Sequence, residues 1–297
     1  MTGSDPNPDP GSGPRSGHRS GQRSGRLRDA IRGKWGDLRE RLMSGAVLAV
    51  VGLILLFSSG IWLRLGVSAV VGVMIWELAR LTAWRHPEFH RPRHPVLIGL
   101  LSALVLLTIL LLPGAFAPFL VLVPVIVGWP GTHSHERPAF VLFTLAILGA
   151  GYGLVAIREV MGLPTLLWIV GTVVLSDVLG YFVGRRLGGP RFWPSVSPKK
   201  TWSGTLAGWA GAFVLALGLW LGGAAGWGVI LTGPLLAFSG QLGDIAESWL
   251  KRRVGVKDSS DLIPGHGGAM DRFDAMAGAL LVAFLLLYVN LLPVIGG

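Results

Sequence analysis

The sequence contains no cysteine, so disulfide bonds, thiolate nucleophiles and cysteine-based zinc sites are excluded. Charged residues are also scarce at 14% of the chain, whereas a soluble globular domain carries about 25%. Apolar residues instead make up 51% of the 297 residues. One small domain cannot bury so many apolar side chains in its own core. The composition therefore predicts an all-α polytopic membrane protein, with lipid as its solvent.

Two common motifs of nucleotide and metal enzymes are absent as well. No GxxxxGK[ST] loop is present, which excludes a P-loop enzyme, and no HExxH pair is present for zinc. The net charge of +10 does not indicate nucleic-acid binding, because most basic residues lie in short loops between apolar runs. Lysine and arginine in such loops set membrane orientation and meet anionic lipid.

The N-terminal segment differs in composition from the rest of the chain. Residues 1–25 are rich in Gly, Ser, Pro and Arg and nearly lack apolar side chains, which predicts a disordered basic tail. Residues 26–43 place apolar side chains at helical spacing among charged ones. That pattern predicts a short interfacial amphipathic helix leading into the membrane.

Nine apolar runs approach the roughly 20 residues that a transmembrane helix needs. They lie at 44–59, 61–80, 95–112, 115–130, 138–157, 163–184, 203–222, 225–246 and 274–294. Pro and Gly clusters separate most of them. We therefore predict about nine transmembrane helices, grouped as N-terminal helices at 44–160 and a C-terminal catalytic transmembrane domain at 161–297.

The basic residues predict the orientation of these spans. With the N-terminus in the cytoplasm, all but Arg64 and Arg158 of the 26 Lys and Arg residues fall on the cytoplasmic side. Such a bias is typical of cytoplasmic loops. The sequence therefore predicts a cytoplasmic N-terminus and an inner-membrane protein whose two longest polar loops face the cytoplasm.

Acidic residues are sparse in the second half and gather around those two loops. After Glu159 the chain has Asp177, Asp244, Glu247, Asp258, Asp261, Asp271 and Asp274. A carboxylate at the edge of an apolar span is costly unless it is paired or binds a cation, so these residues are functional candidates.

The segment 243–274 holds most of this chemistry. If the eighth span continues as a helix, Asp244, Ser248, Lys251 and Arg252 share one face. Asp271 and Asp274 follow at the start of the ninth span, after Gly267 and Gly268, which permit close backbone approach to an anion. Two sets of carboxylates with nearby Lys and Arg are suited to holding Mg²⁺ and a polyphosphate.

The second polar loop, SPKKTWSG at 197–204, combines adjacent Lys199 and Lys200 with hydroxyl groups. Upstream, Asp177 lies inside an apolar span, which indicates a metal or polar partner. Gly180, Gly184 and Gly188 follow at four-residue spacing, a ridge that favours tight helix packing.

The histidines give weaker signals. His266 lies between glycines and is either a base or a hydrogen-bonding strut. His133 and His135 adjoin Glu136, but no other candidate ligand accompanies them, so we interpret this segment as a solvated turn.

Residues 248–274, SWLKRRVGVKDSSDLIPGHGGAMDRFD, resemble the signature of the phosphatidate cytidylyltransferases, or CDP-diacylglycerol synthases. Every fixed polar position of that pattern is filled, with the right gaps. The departures, Ala269 and Ala275, touch no charged position. Together with SPKKTW and the Asp177 segment, the resemblance covers about residues 165–290, while the first half resembles the family only as a run of hydrophobic spans.

This resemblance implies transfer of CMP from CTP to phosphatidic acid, giving CDP-diacylglycerol and pyrophosphate. It implies Mg²⁺ held by Asp244 and Asp271, with Asp274 and Asp177 completing or supporting the site, and it also implies a potassium ion and a homodimer. Catalytic roles are implied for Asp244, Ser248, Lys251, Arg252, Asp271 and Asp274. Substrate contacts are implied for Ser197, Lys199, Lys200, Thr201, Lys257, His266, Gly267, Gly268 and Arg272.

Three alternatives remain open at this point. A CTP-dependent lipid-alcohol kinase would use similar carboxylates and lysines but would move the γ-phosphate. A cytidylyltransferase for another lipid phosphate would share the same site. A cation-coupled transporter is disfavoured, because such proteins show internal repeats or paired broken helices, and none is evident in the sequence.

Overall fold

A computed structural model describes residues 43–83, 93–112, 114 and 116–296. The predicted basic tail and all but the last residue of the predicted interfacial helix lie outside the described residues. The described residues form ten α-helices: α1 (Met43–Phe57), α2 (Gly60–Thr82), α3 (Arg93–Leu111), α4 (Ala117–Leu120), α5 (Leu122–Gly128), α6 (Arg137–Val160), α7 (Gly162–Leu187), α8 (Trp202–Leu221), α9 (Val229–Arg253) and α10 (Met270–Tyr288). Two strands, β1 (Arg191–Trp193) and β2 (Ser197–Thr201), lie between α7 and α8.

The predicted apolar runs coincide with helices. Six of the described helices are long and apolar enough to cross a membrane, namely α2, α3, α6, α7, α8 and α9. The first helix, α1, is apolar but shorter. The last, α10, is not among these six and carries three charged residues, Asp271, Arg272 and Asp274, in its first two turns.

The prediction of one continuous helix at 115–130 is wrong. The segment is divided into α4, α5 and a 3₁₀ turn at Trp129–Gly131. Proline recurs there at 118, 124 and 130. Pro124 has no N–H for the carbonyl of Leu120, and its ring crowds that carbonyl, so the first helix ends at Leu120.

The structure also adds one element to the predicted all-α fold. The loop at 197–204 begins as a strand, and β1 and β2 pair antiparallel with Arg191 opposite Thr201 and Trp193 opposite Ser197. The hairpin ends at Thr201, whose hydroxyl accepts a hydrogen bond from Gly204 N at 3.2 Å and so caps α8.

Close contacts between glycines join α7 to α8. A Cβ on Gly204 would lie 2.5 Å from the carbonyl oxygen of Gly180, and one on Gly184 would lie 2.8 Å from the hydroxyl of Thr201. The predicted packing role is confirmed for Gly180 and Gly184. It is wrong for Gly188, which ends α7 with φ of +61°.

Ion pairs and backbone hydrogen bonds hold the two ends of the helix bundle. At one end, Arg64 in α2 pairs with Glu159 in α6 at 2.9 Å. At the other end, Arg253 in α9 pairs with Glu136 before α6 at 2.9 Å. The second end, which we call the loop end, also contains the hairpin and the segment 254–269. The turn at His133, His135 and Glu136 is partly exposed, and it also has a structural contact that was not predicted, because Glu136 and the His135 carbonyl bind Arg253.

The α7–α8 contact gives a first prediction. Gly204→Ala should lower the free energy of unfolding by about 1–3 kcal/mol, because backbone on α7 leaves no room for a methyl group. Gly218→Ala in the same helix is the matched control, since a Cβ there meets nothing within 4 Å. Thermal unfolding of both variants in detergent measures the difference. Equal melting temperatures would contradict the packing argument.

Candidate functional site

Helices α9 and α10 approach until their backbones touch, and this contact assembles the acidic cluster. A Cβ on Gly278 would lie 2.5 Å from the Ser239 carbonyl oxygen and 3.0 Å from the Cα of Gly243. The two glycines flank the turns that carry Asp244 and Asp274. The acidic residues that the sequence placed on separate segments therefore lie together at the loop end.

Asp271, in the first turn of α10, is held on both carboxylate oxygens. Its Oδ1 accepts from the Lys251 ammonium at 2.5 Å. Its Oδ2 accepts from Ser259 N and Gly268 N, both at 2.8 Å, and from the Ser259 hydroxyl at 2.9 Å. Hydrogen bonds to an ionised group are among the stronger ones. Asp271 is therefore fixed in orientation, with its Oδ1 facing the Lys251 ammonium.

Lys251 joins Asp271 to a second buried acid. Its ammonium lies 3.2 Å from Oε2 of Glu247, one turn earlier on α9. The exposed fractions are 12% for the Lys251 side chain, 2% for Glu247 and 6% for Asp271. The carboxyl group of Asp274 contacts Glu247 and is close enough to Asp244 and Lys251 to interact electrostatically with both. Lys251 therefore interacts with several carboxyl groups in a cluster that is largely shielded from water.

Asp244 has its own lysine. Lys200 on β2 reaches its Oδ2 at 2.6 Å, and Ser248 donates to its Oδ1 at 3.3 Å. Asp177 on α7 is exposed and interacts electrostatically with both Lys200 and Asp244. The four acids predicted as metal ligands thus lie at the same end of the bundle on three helices, with Asp177 and Asp274 each near Asp244.

The hairpin separates the two adjacent lysines. Lys200 points inward to Asp244 and the Gln241 carbonyl oxygen, whereas Lys199 is exposed. Gln241 in turn accepts from Trp209 Nε1 at 2.9 Å and donates to the Ser176 hydroxyl at 3.2 Å. This polar network ties α7, α8 and α9 together beneath Lys200.

The remaining predicted cations lie at the surface of the loop end. Lys199, Arg252, Lys257 and Arg272 are exposed. Arg252 donates to the Val256 carbonyl oxygen at 3.3 Å, and Arg272 donates to that of His266 at 2.9 Å. Ser197 is half-buried at the start of β2. These side chains border the cluster without entering it.

His266 contacts the N-terminal helices instead of the acids. Its Nδ1 lies 2.7 Å from the hydroxyl of Ser44 in α1, and Ser44 also donates to the Pro264 carbonyl oxygen at 2.9 Å. Of the two roles left open by the sequence, this geometry favours the strut. The following Gly267 adopts φ of +82°, which lets the chain turn back toward Asp271.

An apolar cavity of about 290 Å³ adjoins the acidic cluster. It lies among α2, α6, α9 and α10, and apolar side chains such as Met74, Phe143 and Leu281 line it. Glu247 and Asp274 are also part of its wall. The cavity therefore joins an apolar space to charged groups within one site.

Comparison with known proteins identifies the family. The sequence profile described as the cytidylyltransferase family matches residues 39–290. The chain belongs to the cytidylyltransferase family.

Several relatives match over most of both chains. A phosphatidate cytidylyltransferase of Brucella abortus is 34% identical over 257 residues, covering 84% of this chain and 93% of the relative. Phosphatidate cytidylyltransferases of Bacillus subtilis and Helicobacter pylori are 30% and 31% identical, again over 84% of this chain and over 98% and 92% of the relatives. The match extends the resemblance from about residues 165–290 to nearly all of the helical part.

Two acids of this cytidylyltransferase site were missed in the sequence. Glu247 was counted as an acidic residue but given no role, and Glu77 of α2 was not considered. Both are buried at the loop end. Asp177 was selected because it is an acid inside an apolar span. Glu77 also lies inside an apolar span, so the same criterion could have found it.

The magnesium ion that the family resemblance implies can be tested against the donors present. In the part of the chain that the structure describes, no three acidic or histidine side chains form a preassembled metal cage. Mg²⁺ commonly binds through one or two carboxylates together with water and substrate phosphates. The oxygen donors here suit that mode, and among the described residues the buried Glu247 carboxyl group contacts only Lys251 and Asp274. The residues therefore fit Mg²⁺ bound together with a nucleotide.

The two lysine pairs give a second prediction. Lys251→Met should lower the free energy of unfolding by about 3–5 kcal/mol, because it leaves two buried carboxylates without their cation. Lys200→Met removes a more exposed pair and should cost about 0–1 kcal/mol. Thermal unfolding in detergent compares the two variants. A larger loss for Lys200→Met would contradict the argument from the greater burial of the Lys251 pairs.

Proposed function

We propose that this chain transfers CMP from CTP to phosphatidic acid, releasing pyrophosphate and forming CDP-diacylglycerol for phospholipid synthesis. Its relatives named phosphatidate cytidylyltransferase, aligned over 84% of the chain, carry the proposal. The clustering of two lysine–carboxylate pairs at one end of the bundle supports it.

The reaction demands positive charge more than it demands a base. An oxygen of the lipid phosphate attacks the α-phosphorus of CTP, and the bond to the bridging oxygen of the β-phosphate breaks. Both reactants are anionic, so positioning and charge neutralisation supply most of the rate enhancement. In this scheme Lys200 and Lys251 exchange their carboxylate partners for phosphate oxygens when the substrates bind.

Mg²⁺ would be held by Asp244 and Asp271, with Asp274 and Asp177 completing or supporting the site. When bound, the ion neutralises charge that develops on the phosphates. The fixed orientation of Asp271 and the proximity of Asp244 to Asp274 support this assignment. The potassium ion remains a prediction from resemblance.

The exposed cations at the loop end would hold the outer phosphates. Lys199, Arg252, Lys257 and Arg272 border the cluster and are free of carboxylate partners among the described residues. Ser197, Ser248 and the Gly267–Gly268 backbone would orient the nucleotide or the lipid head group. Thr201 and His266 would act through the structure, as the cap of α8 and a strut to α1.

The apolar cavity would accommodate part of a phosphatidic acid acyl chain. Its walls are apolar except where Glu247 and Asp274 adjoin it, so a lipid there would bring its phosphate near the charged cluster. Acyl chains gain free energy by leaving water for such a lining.

We further propose nine membrane crossings with a cytoplasmic N-terminus in the inner membrane. The basic loops gather at the loop end, while Arg64 lies at the opposite end of the bundle, which supports this orientation. CTP would then enter from the cytoplasm. A homodimer is proposed from family resemblance.

The third prediction concerns the reaction itself. Purified protein in detergent with phosphatidic acid, Mg²⁺ and CTP labelled at the α-phosphate should move label into lipid and release pyrophosphate. Label that remains in soluble CDP, with a phosphorylated alcohol as product, would instead support the lipid-alcohol kinase. No transfer to any lipid acceptor would contradict both.

The fourth prediction concerns the acids. Asp244→Asn and Asp271→Asn should each lower label transfer by about 10²-fold or more, because each variant loses a carboxylate that would hold Mg²⁺ at the reacting phosphates. Asp261→Asn is the matched control, since Asp261 is an exposed acid in the same loop. The rates are compared per folded molecule after size-exclusion chromatography. Wild-type turnover in either of the first two variants would show that the site is misassigned.

A further inference from the structure

Glu77 is an acid of α2, in the N-terminal half of the chain, that lies completely buried at the loop end. No lysine or arginine pairs with it in the described part of the chain. Its carboxylate instead accepts three hydrogen bonds from residues more than 180 positions later, from Ser260 Oγ at 2.6 Å, Ala269 N at 2.9 Å and Met270 N at 2.7 Å. It also lies 3.1 Å from Ser259 Oγ, whose single hydrogen it shares with Asp271. A buried charge with this many donors is satisfied without a cation.

Two of these donors are backbone groups at the start of α10. Ala269 precedes the helix, Met270 begins it, and no side chain of the helix itself caps it. Free N–H groups at a helix N-terminus favour an anion, and a carboxylate there also complements the helix dipole. Glu77 therefore supplies the missing cap from another helix.

The same turn carries Asp271. Ser259 links the two acids, because its hydroxyl lies 3.1 Å from Glu77 and 2.9 Å from Asp271. The backbone N–H of Ser259 and that of Gly268 also bind Asp271. Glu77 and Asp271 thus fasten the segment 259–270 from opposite sides.

The atoms around Gly268 are packed too closely to leave room for a side chain. A Cβ on Gly268 would overlap the Ser259 hydroxyl and the Glu77 carboxylate. Glycine is required because both groups approach its backbone. Any movement of Glu77 would therefore be transmitted to the groups that orient Asp271.

We propose that Glu77 is a positioning residue for the transfer reaction, which sets the orientation of Asp271 through Ser259 and the first turn of α10. It touches no substrate itself. The inference rests on the proposed function only in that Asp271 belongs to the reacting site.

Glu77→Gln in the full-length chain tests this proposal. Glutamine keeps the shape, but its amide nitrogen is a donor and cannot accept from the hydroxyl and N–H groups that face it. We expect kcat to fall by about 10- to 100-fold, the range seen when a residue that orients a metal ligand is lost. The KM for phosphatidic acid should stay unchanged, and the Mg²⁺ concentration for half-maximal activity should rise.

Hydrogen exchange provides a readout that does not depend on activity. Peptides covering 257–273 should exchange faster in Glu77→Gln than in wild type. Glu159→Gln is the matched control, since it makes the same chemical change at the opposite end of the bundle, and it should alter neither exchange in this segment nor kcat.

A pair of serine variants separates positioning from stability. Ser259→Ala and Ser260→Ala each remove one hydroxyl from Glu77, but only Ser259 also contacts Asp271. Ser259→Ala should therefore lower kcat more. Should Glu77→Gln fail to fold, Glu77→Asp keeps the charge with shorter reach and should show the same changes to a smaller degree.

Several outcomes would overturn the proposal. Wild-type kcat and Mg²⁺ dependence per folded molecule in Glu77→Gln, even with a lower melting temperature, would make Glu77 merely structural. Unchanged hydrogen exchange at 257–273 would show that Glu77 does not fix this segment, and would also overturn the proposal. If the wild type moves no label into lipid, the proposed function fails, whereas the exchange result still decides whether Glu77 fixes the Asp271 segment.

Discussion

Carboxylates placed among apolar helices must be neutralised locally, and the structure of the loop end follows from that requirement. Removing an ion from water is expensive, and only a well-placed partner or several hydrogen bonds compensate. Asp271 receives both, from Lys251 and from three donors of the segment 259–268. Glu77 receives hydrogen bonds alone. The polar segment between α9 and α10 is therefore folded around its acids.

Close helix approach makes this neutralisation geometrically possible. Gly243 and Gly278 let α9 and α10 touch, so that a lysine of one helix reaches an aspartate of the other. Gly180 and Gly204 do the same for α7 and α8, which brings the hairpin and Lys200 over α9. In a membrane, packing of small residues is a main source of helix association. The glycines thus determine both stability and the position of the charges.

The N-terminal helices take a direct part in the site. Glu77 caps α10, Ser44 contacts His266, and Glu136 binds Arg253 at the end of α9. Each contact joins the two halves of the chain at the loop end. Both the N-terminal helices and the C-terminal domain therefore contribute residues to the loop end.

The sequence alone determined where most of the helices lie and which charged residues gather at the loop end. Apolar runs must become helices in lipid, because every backbone polar group has to be satisfied within the segment, and the 248–274 pattern indicated the family from its fixed polar positions. The helix break after Leu120 could have been predicted from Pro124. The hairpin, and the pairing of Lys200 with Asp244 and of Lys251 with Asp271, could not. Those pairings depend on which helix faces lie together, and the role of Glu77 depends on contacts across more than 180 residues. Only tertiary packing decides that, since a buried acid looks the same in sequence whether a cation, a helix N-terminus or a metal neutralises it.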